Sequence, residues 1–185
     1  MEQNKTDLSI YDNSWYNSGG NTVKRIVWLY ISAIFFKNSV FPFTGLKVFL
    51  LKLFGAKIGK SVMIKPSVNI KYPWNLTIKD NAWIGEDVWI DSLVRISIGQ
   101  SACISQGAYI LTGNHNYKKT TFDLIVKEVV IEDGVWIGAK SVVCPGVICE
   151  SHSVLSVGSV ATKNLEAYCI YQGNPAIKIK DRLFK

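Results

Sequence analysis

A hydrophobic residue recurs with a period of six over more than half of this chain, and the period shifts by two residues between Ile70 and Ile78 and again between Ile90 and Ile98. The recurring residues are Ile58, Ile64, Ile70, Ile78, Ile84, Ile90, Ile96, Ile98, Ile104, Ile110, Ile131, Ile137, Val143, Cys149, Leu155 and Ala161. Four positions after most of them comes a small or β-branched residue. Six matches neither the 3.6-residue period of a helix nor the length of an ordinary strand. A fixed period of this kind indicates a solenoid in which each repeat covers its neighbour.

A six-residue unit accommodates one short strand and one corner. Because alternate side chains of a strand face opposite sides, the recurring residue and the residue two positions before it both point inward. Three units close one triangular coil of about eighteen residues, and roughly fifteen repeats therefore predict about five coils. A β-sandwich is the alternative, but its strands would not keep one phase across so many repeats. We predict a mainly β fold, a parallel β-helix.

The N-terminal 55 residues lack this period, and we predict an extended arm followed by a helical cap. Asn21 or Thr22 is expected to begin a helix that runs to about Lys37, and a second apolar stretch follows over 41–54. Neither stretch reaches the ~20 residues that cross a bilayer. Two interpretations stay open and can hold together. The helices cover the exposed edge of the first coil, or they attach to a membrane surface through apolar residues flanked by cations such as Lys24.

The chain carries 21 Lys and Arg against 14 Asp and Glu, a net charge of +7 that favours anionic partners. No segment resembles a nucleic-acid motif, so we expect no nucleic-acid partner. The four cysteines lack metal-ligand spacing, and we expect reduced thiols and no metal. No signal peptide is visible. We therefore expect a cytoplasmic protein, with peripheral contact at the inner face of the membrane as the open alternative.

The period breaks between Ile110 and Ile131, where 21 residues stand in place of six. The extra residues must leave the solenoid as a loop over about 112–128. His115 lies at the start of this loop. His152, the second of the two histidines, falls at a regular corner, where we expect it to be exposed and inert.

The period resumes after the loop and ends near Ala161. We therefore assign 56–165 to the β-helix and 166–185 to a C-terminal tail, which we expect to end in a short helix.

The segment ISQGAYILTGNHNY (104–117) resembles the active-site segment of the hexapeptide-repeat O-acetyltransferases, and within them the colanic-acid-type exopolysaccharide acetyltransferases. The likeness runs from about Leu46 to the C-terminus and includes FGAKIG (54–59), PWNL (73–76), VWIG (135–138), TK (162–163) and GNPA (173–176). This resemblance implies a left-handed β-helix, acetyl-CoA as cosubstrate, and a homotrimer with active sites at its subunit interfaces. The left-handedness of the β-helix is predicted from the resemblance alone, because the general rule for crossovers between parallel strands favours right-handed connections.

The resemblance points to His115 as a general base that acts on a sugar hydroxyl. A hydroxyl is a poor nucleophile at neutral pH, and histidine has an ordinary pKa near 6.5, so it can accept the proton and pass it to the leaving thiolate. General acid–base catalysis of this kind typically raises the reaction rate roughly 10²–10⁴-fold. We expect a backbone N–H on a neighbouring coil to stabilise the oxyanion. No covalent intermediate is required.

The acceptor side departs from the family pattern. Related maltose and galactoside enzymes place an asparagine about one coil before the histidine, whereas here Trp89 is followed by Ile-Asp-Ser-Leu. We expect Asp91 or Ser92 to take that role, together with Asn114 and Tyr117 beside the base.

The cosubstrate side also follows from the resemblance, in which CoA lies between two adjacent prisms of the trimer. Residues expected to line its arm are Trp136, Ala139, Gly158, Thr162 and Lys163. Lys178, Lys180 or Arg182 would meet its phosphates, since a cationic tail suits a polyanion. We expect the outward-facing Trp83 and Trp89 to form an oligomer face.

Other functions remain open from the sequence. The acceptor can instead be an antibiotic, serine or an amino sugar, or the prism can be a non-catalytic scaffold, although a scaffold has no need of the broken repeat at His115. The γ-class carbonic anhydrases share the prism but need three histidines around zinc, and this chain has two. Whether a sugar acceptor is nucleotide-, lipid- or polymer-linked is also open.

Overall fold

The computed structural model describes residues 5–185, so the first four residues of the predicted arm lie outside it. A 3₁₀ turn at Leu8–Ile10 is followed by helix α1 (Thr22–Ile31), a π-helical extension (Ser32–Phe36) and helix α2 (Thr44–Leu53). Short strands then wind around three faces. Among the residues described, the helices are confined to the segment before the first coil, apart from a 3₁₀ turn at Pro73–Asn75.

Three sheets, parallel except for the last strand of the second, form the faces of a prism. The first sheet contains β1 (Lys57–Ile58), β4 (Leu76–Ile78), β7 (Ile96–Ile98), β12 (Val129–Ile131) and β15 (Ile148–Cys149). The second contains β2 (Met63–Ile64), β5 (Trp83–Ile84), β8 (Cys103–Ile104), β13 (Trp136–Ile137), β16 (Val154–Leu155), β18 (Cys169–Gly173) and β19 (Ala176–Asp181). The third contains β3 (Asn69–Ile70), β6 (Trp89–Asp91), β9 (Tyr109–Leu111), β14 (Val142–Val143) and β17 (Val160–Ala161).

The strand register stacks the recurring residues of successive coils on one another. In the first sheet Ile58 lies opposite Ile78, and Ile78 lies opposite Ile98. The same column continues through Ile131 to Cys149. These side chains are buried, so the six-residue period becomes a continuous hydrophobic core. Five complete coils and a partial sixth result, which confirms the predicted parallel β-helix.

The helical cap covers the first coil as predicted. The side chain of Asn21 accepts a hydrogen bond from the Lys24 N–H and begins α1. Leu50 and Leu51 of α2 join the core of the solenoid. Lys47 is fully buried, and its Nζ donates to the carbonyl oxygen of Lys65 at 2.7 Å. The edge of the first coil is therefore hidden beneath the cap.

The C-terminal tail is a β-hairpin, so the predicted short helix is wrong. Strand β18 pairs with β16 of the fifth coil, and β19 returns antiparallel beside β18. The sequence Ala-Ile-Lys-Ile-Lys-Asp from Ala176 alternates apolar and charged residues, which is a strand pattern. Pairing onto β16 also covers the exposed edge of the last coil.

The ejected loop leaves after β9 and returns at β12, as the broken period predicts. It is itself a hairpin, with β10 (Gly113–His115) antiparallel to β11 (Leu124–Val126). Because β9 belongs to the third sheet and β12 to the first, the loop leaves at the corner between those sheets. In a three-sided prism that corner lies opposite the second sheet.

Trp83 and Trp89 do not share a face, contrary to the prediction of one oligomer surface through both. Trp83 lies on the second sheet and Trp89 on the third. The ring of Trp89 stacks on Tyr109 of the next coil with centroids 4.6 Å apart. Residues in the same phase of the period fall on different faces because each repeat turns the corner of the prism.

Candidate active site

The loop hairpin holds His115 in a defined orientation. Its Nδ1 lies 2.9 Å from the carbonyl oxygen of Phe122, and the two rings stack with centroids 4.3 Å apart. A carbonyl oxygen only accepts hydrogen bonds, so Nδ1 carries the proton in the neutral ring. The lone pair then resides on Nε2, directed away from Phe122. This is the form of histidine that removes a proton from a substrate.

Phe122 is a residue that sequence reasoning missed. Its backbone has φ +50, in the left-handed region that a bulky side chain seldom adopts. The turn before it is fixed by a hydrogen bond from its N–H to the Lys119 carbonyl and by an ion pair of 2.8 Å between Lys119 and Asp123. The available signal was a phenylalanine that follows a run of polar residues (118–121) in the loop.

The N-terminal arm folds back across the same loop. The Asp7 N–H donates to the carbonyl of Thr120 at 2.9 Å, and the Tyr11 ring lies 5.8 Å from the His115 ring. Further along, the Tyr16 hydroxyl donates to the Leu93 carbonyl at 2.6 Å. The sequence predicted the arm but not that it closes one side of the imidazole.

Asp91 lies beneath the start of the loop, near Gly113, which precedes the base by two residues. A Cβ placed on Gly113 would be 3.7 Å from Asp91 Oδ2, and the Thr112 hydroxyl donates to the Asp91 backbone carbonyl. Lys71 Nζ is 3.2 Å from Asp91 Oδ1, but that contact lacks hydrogen-bond geometry, so within residues 5–185 this oxygen has no hydrogen-bond partner. Burial raises the pKa of Tyr109, and the charge of Asp91 raises it further. The predicted acceptor residue Asp91 is therefore a buried carboxylate whose Oδ1 is enclosed beside the Lys71 ammonium and whose Oδ2 lies near Gly113.

Ser92 does not fit the acceptor role that the sequence suggested. It is fully buried, and its hydroxyl accepts from the Tyr72 N–H and donates to the Tyr72 carbonyl. Both bonds join adjacent coils and use the hydroxyl for structure. Asn114 and Tyr117 are exposed on the loop, and the Asn114 side chain accepts from the His115 N–H.

A groove of about 670 Å³ runs along the second sheet and the C-terminal hairpin, and it gathers several predicted cosubstrate residues. Trp136, Ala139, Lys180 and Arg182 line it. The Trp136 indole N–H donates to the Ser105 hydroxyl at 2.9 Å. Gly158 sits on the next coil, where its N–H donates to the Ala139 carbonyl.

Three predicted cosubstrate residues lie elsewhere. Thr162 and Lys163 follow β17 at the corner between the third and first sheets, which is the corner of the His115 loop. Lys178 forms ion pairs with Glu166 at 3.2 Å and Asp181 at 3.1 Å. Its hydrogen bonds to Cys169, Asp181 and Glu166 raise its pKa. Its charge is already balanced within the chain.

His115 and the groove face away from each other in one chain. The loop leaves at the corner opposite the second sheet, and the groove lies on that sheet. Residues 5–185 contain no cluster of three or more His, Cys, Asp or Glu placed to hold a metal ion.

Comparison with known proteins gives relatives of one kind. No protein-family model matches the chain. It is 40% identical over 165 residues to WcaF of Escherichia coli K12, a protein named for acetyl transfer in colanic acid biosynthesis, and the match covers 89% of this chain and 91% of WcaF.

Solved structures share the fold. A hexapeptide-repeat acetyltransferase of Vibrio cholerae superposes with TM-score 0.78 at 21% identity, covering 88% of this chain and 92% of that one. A galactoside acetyltransferase in complex with coenzyme A gives TM-score 0.77 at 22% identity, covering 87% and 82%. The six-residue repeats stack as in these structures, and the identity to WcaF extends over nearly the whole of both chains. The chain therefore belongs to the hexapeptide-repeat acetyltransferases and is an acyltransferase of the colanic-acid type.

Proposed function

We propose that this protein transfers an acetyl group from acetyl-CoA to a sugar hydroxyl in exopolysaccharide or surface-glycan biosynthesis. The observation that carries the proposal is the hydrogen bond between His115 Nδ1 and the Phe122 carbonyl, which leaves Nε2 free as a base. The name of WcaF and the sugar acetyltransferases among the structural neighbours support a sugar as acceptor.

His115 serves both halves of a direct transfer. Nε2 accepts the proton of the acceptor hydroxyl while the hydroxyl oxygen forms a bond to the thioester carbonyl carbon. The carbon–sulfur bond then breaks, and the imidazolium returns the proton to the departing thiolate. The Phe122 carbonyl accepts from Nδ1–H throughout and so favours the imidazolium that forms between the two steps. A backbone N–H of a neighbouring coil is the expected donor to the oxyanion.

Asp91 is the proposed acceptor-binding carboxylate. Its Oδ2, the oxygen that lies near Gly113 at the start of the loop, can accept from a sugar hydroxyl next to the one that reacts. Asn114 and Tyr117, exposed on the loop, are the further proposed acceptor contacts, and Tyr11 offers an aromatic face next to the base. Ser92 is not part of this proposed site, because its hydroxyl is already used between coils.

The opposed positions of base and groove support a homotrimer with active sites between subunits. A thioester held along Trp136 and Ala139 of one chain faces away from the His115 of that chain. A second prism that presents its loop corner to this groove would bring the base to the thioester. Thr162 and Lys163, which share the loop corner, would then approach the cosubstrate from the same subunit as His115. A solved hexapeptide-repeat acetyltransferase that holds acetyl-CoA supports this cosubstrate.

The direct test is release of the CoA thiol in the presence of acetyl-CoA and a panel of glycan precursors, with serine, amino sugars and chloramphenicol as competing acceptors. We expect release with sugars and a loss of roughly 10²–10⁴ in kcat for His115→Ala. His152→Ala is the matched control, because it removes the other histidine and is expected to keep activity. Near-full activity of His115→Ala would overturn the proposal, and preference for a non-sugar acceptor would reassign the substrate.

A further inference from the structure

The positive charge of this protein is concentrated at its cap end. Ten of the 21 Lys and Arg, and none of the 14 Asp and Glu, lie between Asn13 and Lys79. The rest of the chain therefore carries 11 basic and 14 acidic side chains. The net charge of +7 thus originates in the cap, the first coil and the start of the second coil.

The outer side of helix α2 is apolar and uncovered. Lys47, Leu50 and Leu51 face the first coil and are buried. The opposite face presents residues at positions i, i+3 and i+7, which are Leu46, Phe49 and Leu53, with exposures of 39%, 59% and 66%. Elsewhere on the cap, exposed apolar residues are Val40 and Phe43 in the preceding turn, Val23, Ile26, Leu29 and Tyr30 on α1, and Ile34 in the π-helical extension. An apolar surface of this extent marks an interaction site on a folded protein.

The cations around this face have no acidic partners. Arg25, Lys37, Lys52 and Lys65 are exposed, and none forms an ion pair within residues 5–185. No helix in the described part of the chain is long and apolar enough to cross a bilayer. An exposed apolar surface bordered by cations can bury its apolar side chains at the surface of an anionic bilayer.

We propose that the cap docks this protein on an anionic bilayer. Leu46, Phe49 and Leu53 enter the boundary between head groups and acyl chains, while Lys37 and Lys52 contact anionic head groups. The α2 face suits a bilayer better than a second copy, because it covers the end of the prism and points away from the coils. Prisms that assemble side by side leave it exposed in every subunit.

Docking places the catalytic loop close to the membrane. The loop leaves from the third coil, and neighbouring strands of a sheet are about 4.8 Å apart, so it starts about 10 Å beyond the first coil. An acceptor glycan attached to a lipid would come within reach of His115. That consequence rests on the proposed function, whereas the docking itself does not.

The test is co-sedimentation of the full chain with vesicles of phosphatidylcholine alone, or of equal parts phosphatidylcholine and phosphatidylglycerol. We expect binding to the anionic vesicles, weakened at about 1 M salt, where charge screening is nearly complete. Lys37→Glu with Lys52→Glu should lower the partition coefficient at least about 25-fold, about fivefold for each cation. Phe49→Ser with Leu53→Ser should lower it at least about tenfold.

Matched controls carry equal changes far from the cap. Lys127→Glu with Lys185→Glu makes the same charge change, and Leu183→Ser removes an apolar side chain that is 87% exposed. Both should keep vesicle binding. His115→Ala should also keep it, so failure of the catalytic proposal leaves this result intact.

Three outcomes would overturn the docking. Wild-type protein that binds neither vesicle, or binds both equally, contradicts an anionic surface. Cap variants that bind as wild type show that another surface is responsible. Cap variants that change the oligomeric state on gel filtration, with vesicle binding unaltered, assign the face to a second copy of the chain.

Discussion

The imidazole of His115 lies nearly parallel to the ring of Phe122, and its Nδ1 contacts the carbonyl oxygen of that same residue at 2.9 Å. One residue therefore fixes both the plane of the ring and the tautomer. The carbonyl belongs to the backbone and survives any substitution at 122. The stacking belongs to the side chain and can be removed separately.

Phe122→Ala should lower kcat and leave the KM for acetyl-CoA unchanged. Aromatic stacking contributes about 0.5–1.5 kcal/mol, so loss of the ring should lower kcat about two- to 13-fold through a less ordered base. Phe122→Tyr keeps the stack and should restore the rate. Steady-state kinetics measure the split. An unchanged kcat in Phe122→Ala would mean that the carbonyl alone positions the imidazole.

Asp91 and Ser92 are neighbours in sequence with different expected roles. Asp91→Asn should raise the KM for the acceptor, with the KM for acetyl-CoA and the thermal stability little changed. Ser92→Ala should leave acceptor binding unaltered and lower the free energy of unfolding by about 1–3 kcal/mol, because it leaves the Tyr72 amide and carbonyl without their partner. Acceptor titrations and denaturant unfolding distinguish the two. The reverse pattern would return Ser92 to the acceptor site.

Most of the fold could be predicted from the six-residue period, because each recurring residue lies opposite its equivalent in the next coil. Ile78, for example, lies opposite Ile58 on one side and Ile98 on the other. Ser92 was misjudged for a related reason. Its hydrogen-bond partner Tyr72 lies 20 residues earlier in the sequence and in the adjacent coil. The identity of Ser92 alone does not predict a hydrogen bond to the backbone of that coil. The contact of Tyr11 with His115 joins segments that no period relates. Only the alternation after Ala176 was visible in the sequence and overlooked.

Gly99 should tolerate no side chain, whereas Gly45 should. A Cβ at Gly99 would be 2.4 Å from the Glu132 carbonyl carbon and 2.5 Å from the Asp133 nitrogen, which are backbone atoms of the next coil. Gly99→Ala must push two coils apart and should lower the free energy of unfolding by about 1–3 kcal/mol. At Gly45, in helix α2, nothing lies within 4 Å of a Cβ, so Gly45→Ala should raise the free energy of unfolding by roughly 0.5–1 kcal/mol. Equal effects in a denaturant titration would contradict the close approach of the coils.

The opposed positions of His115 and the groove lead to a prediction about mixed oligomers. His115→Ala removes the base, and Ala139→Trp fills the groove that Trp136 and Arg182 line, so each variant alone should be inactive. A chain with an intact base can then serve a neighbour with an intact groove. If equal amounts assemble at random into cyclic trimers, each mixed trimer contains one intact site, and about a quarter of wild-type activity should return. Co-refolding the two variants and measuring thiol release checks this, with His115→Ala and His115→Gln mixed as a control that should stay inactive. Absence of recovery in verified mixed oligomers would mean that the base of one chain does not serve the groove of its neighbour, and the site would then have to be sought along the corner that His115 shares with Thr162 and Lys163.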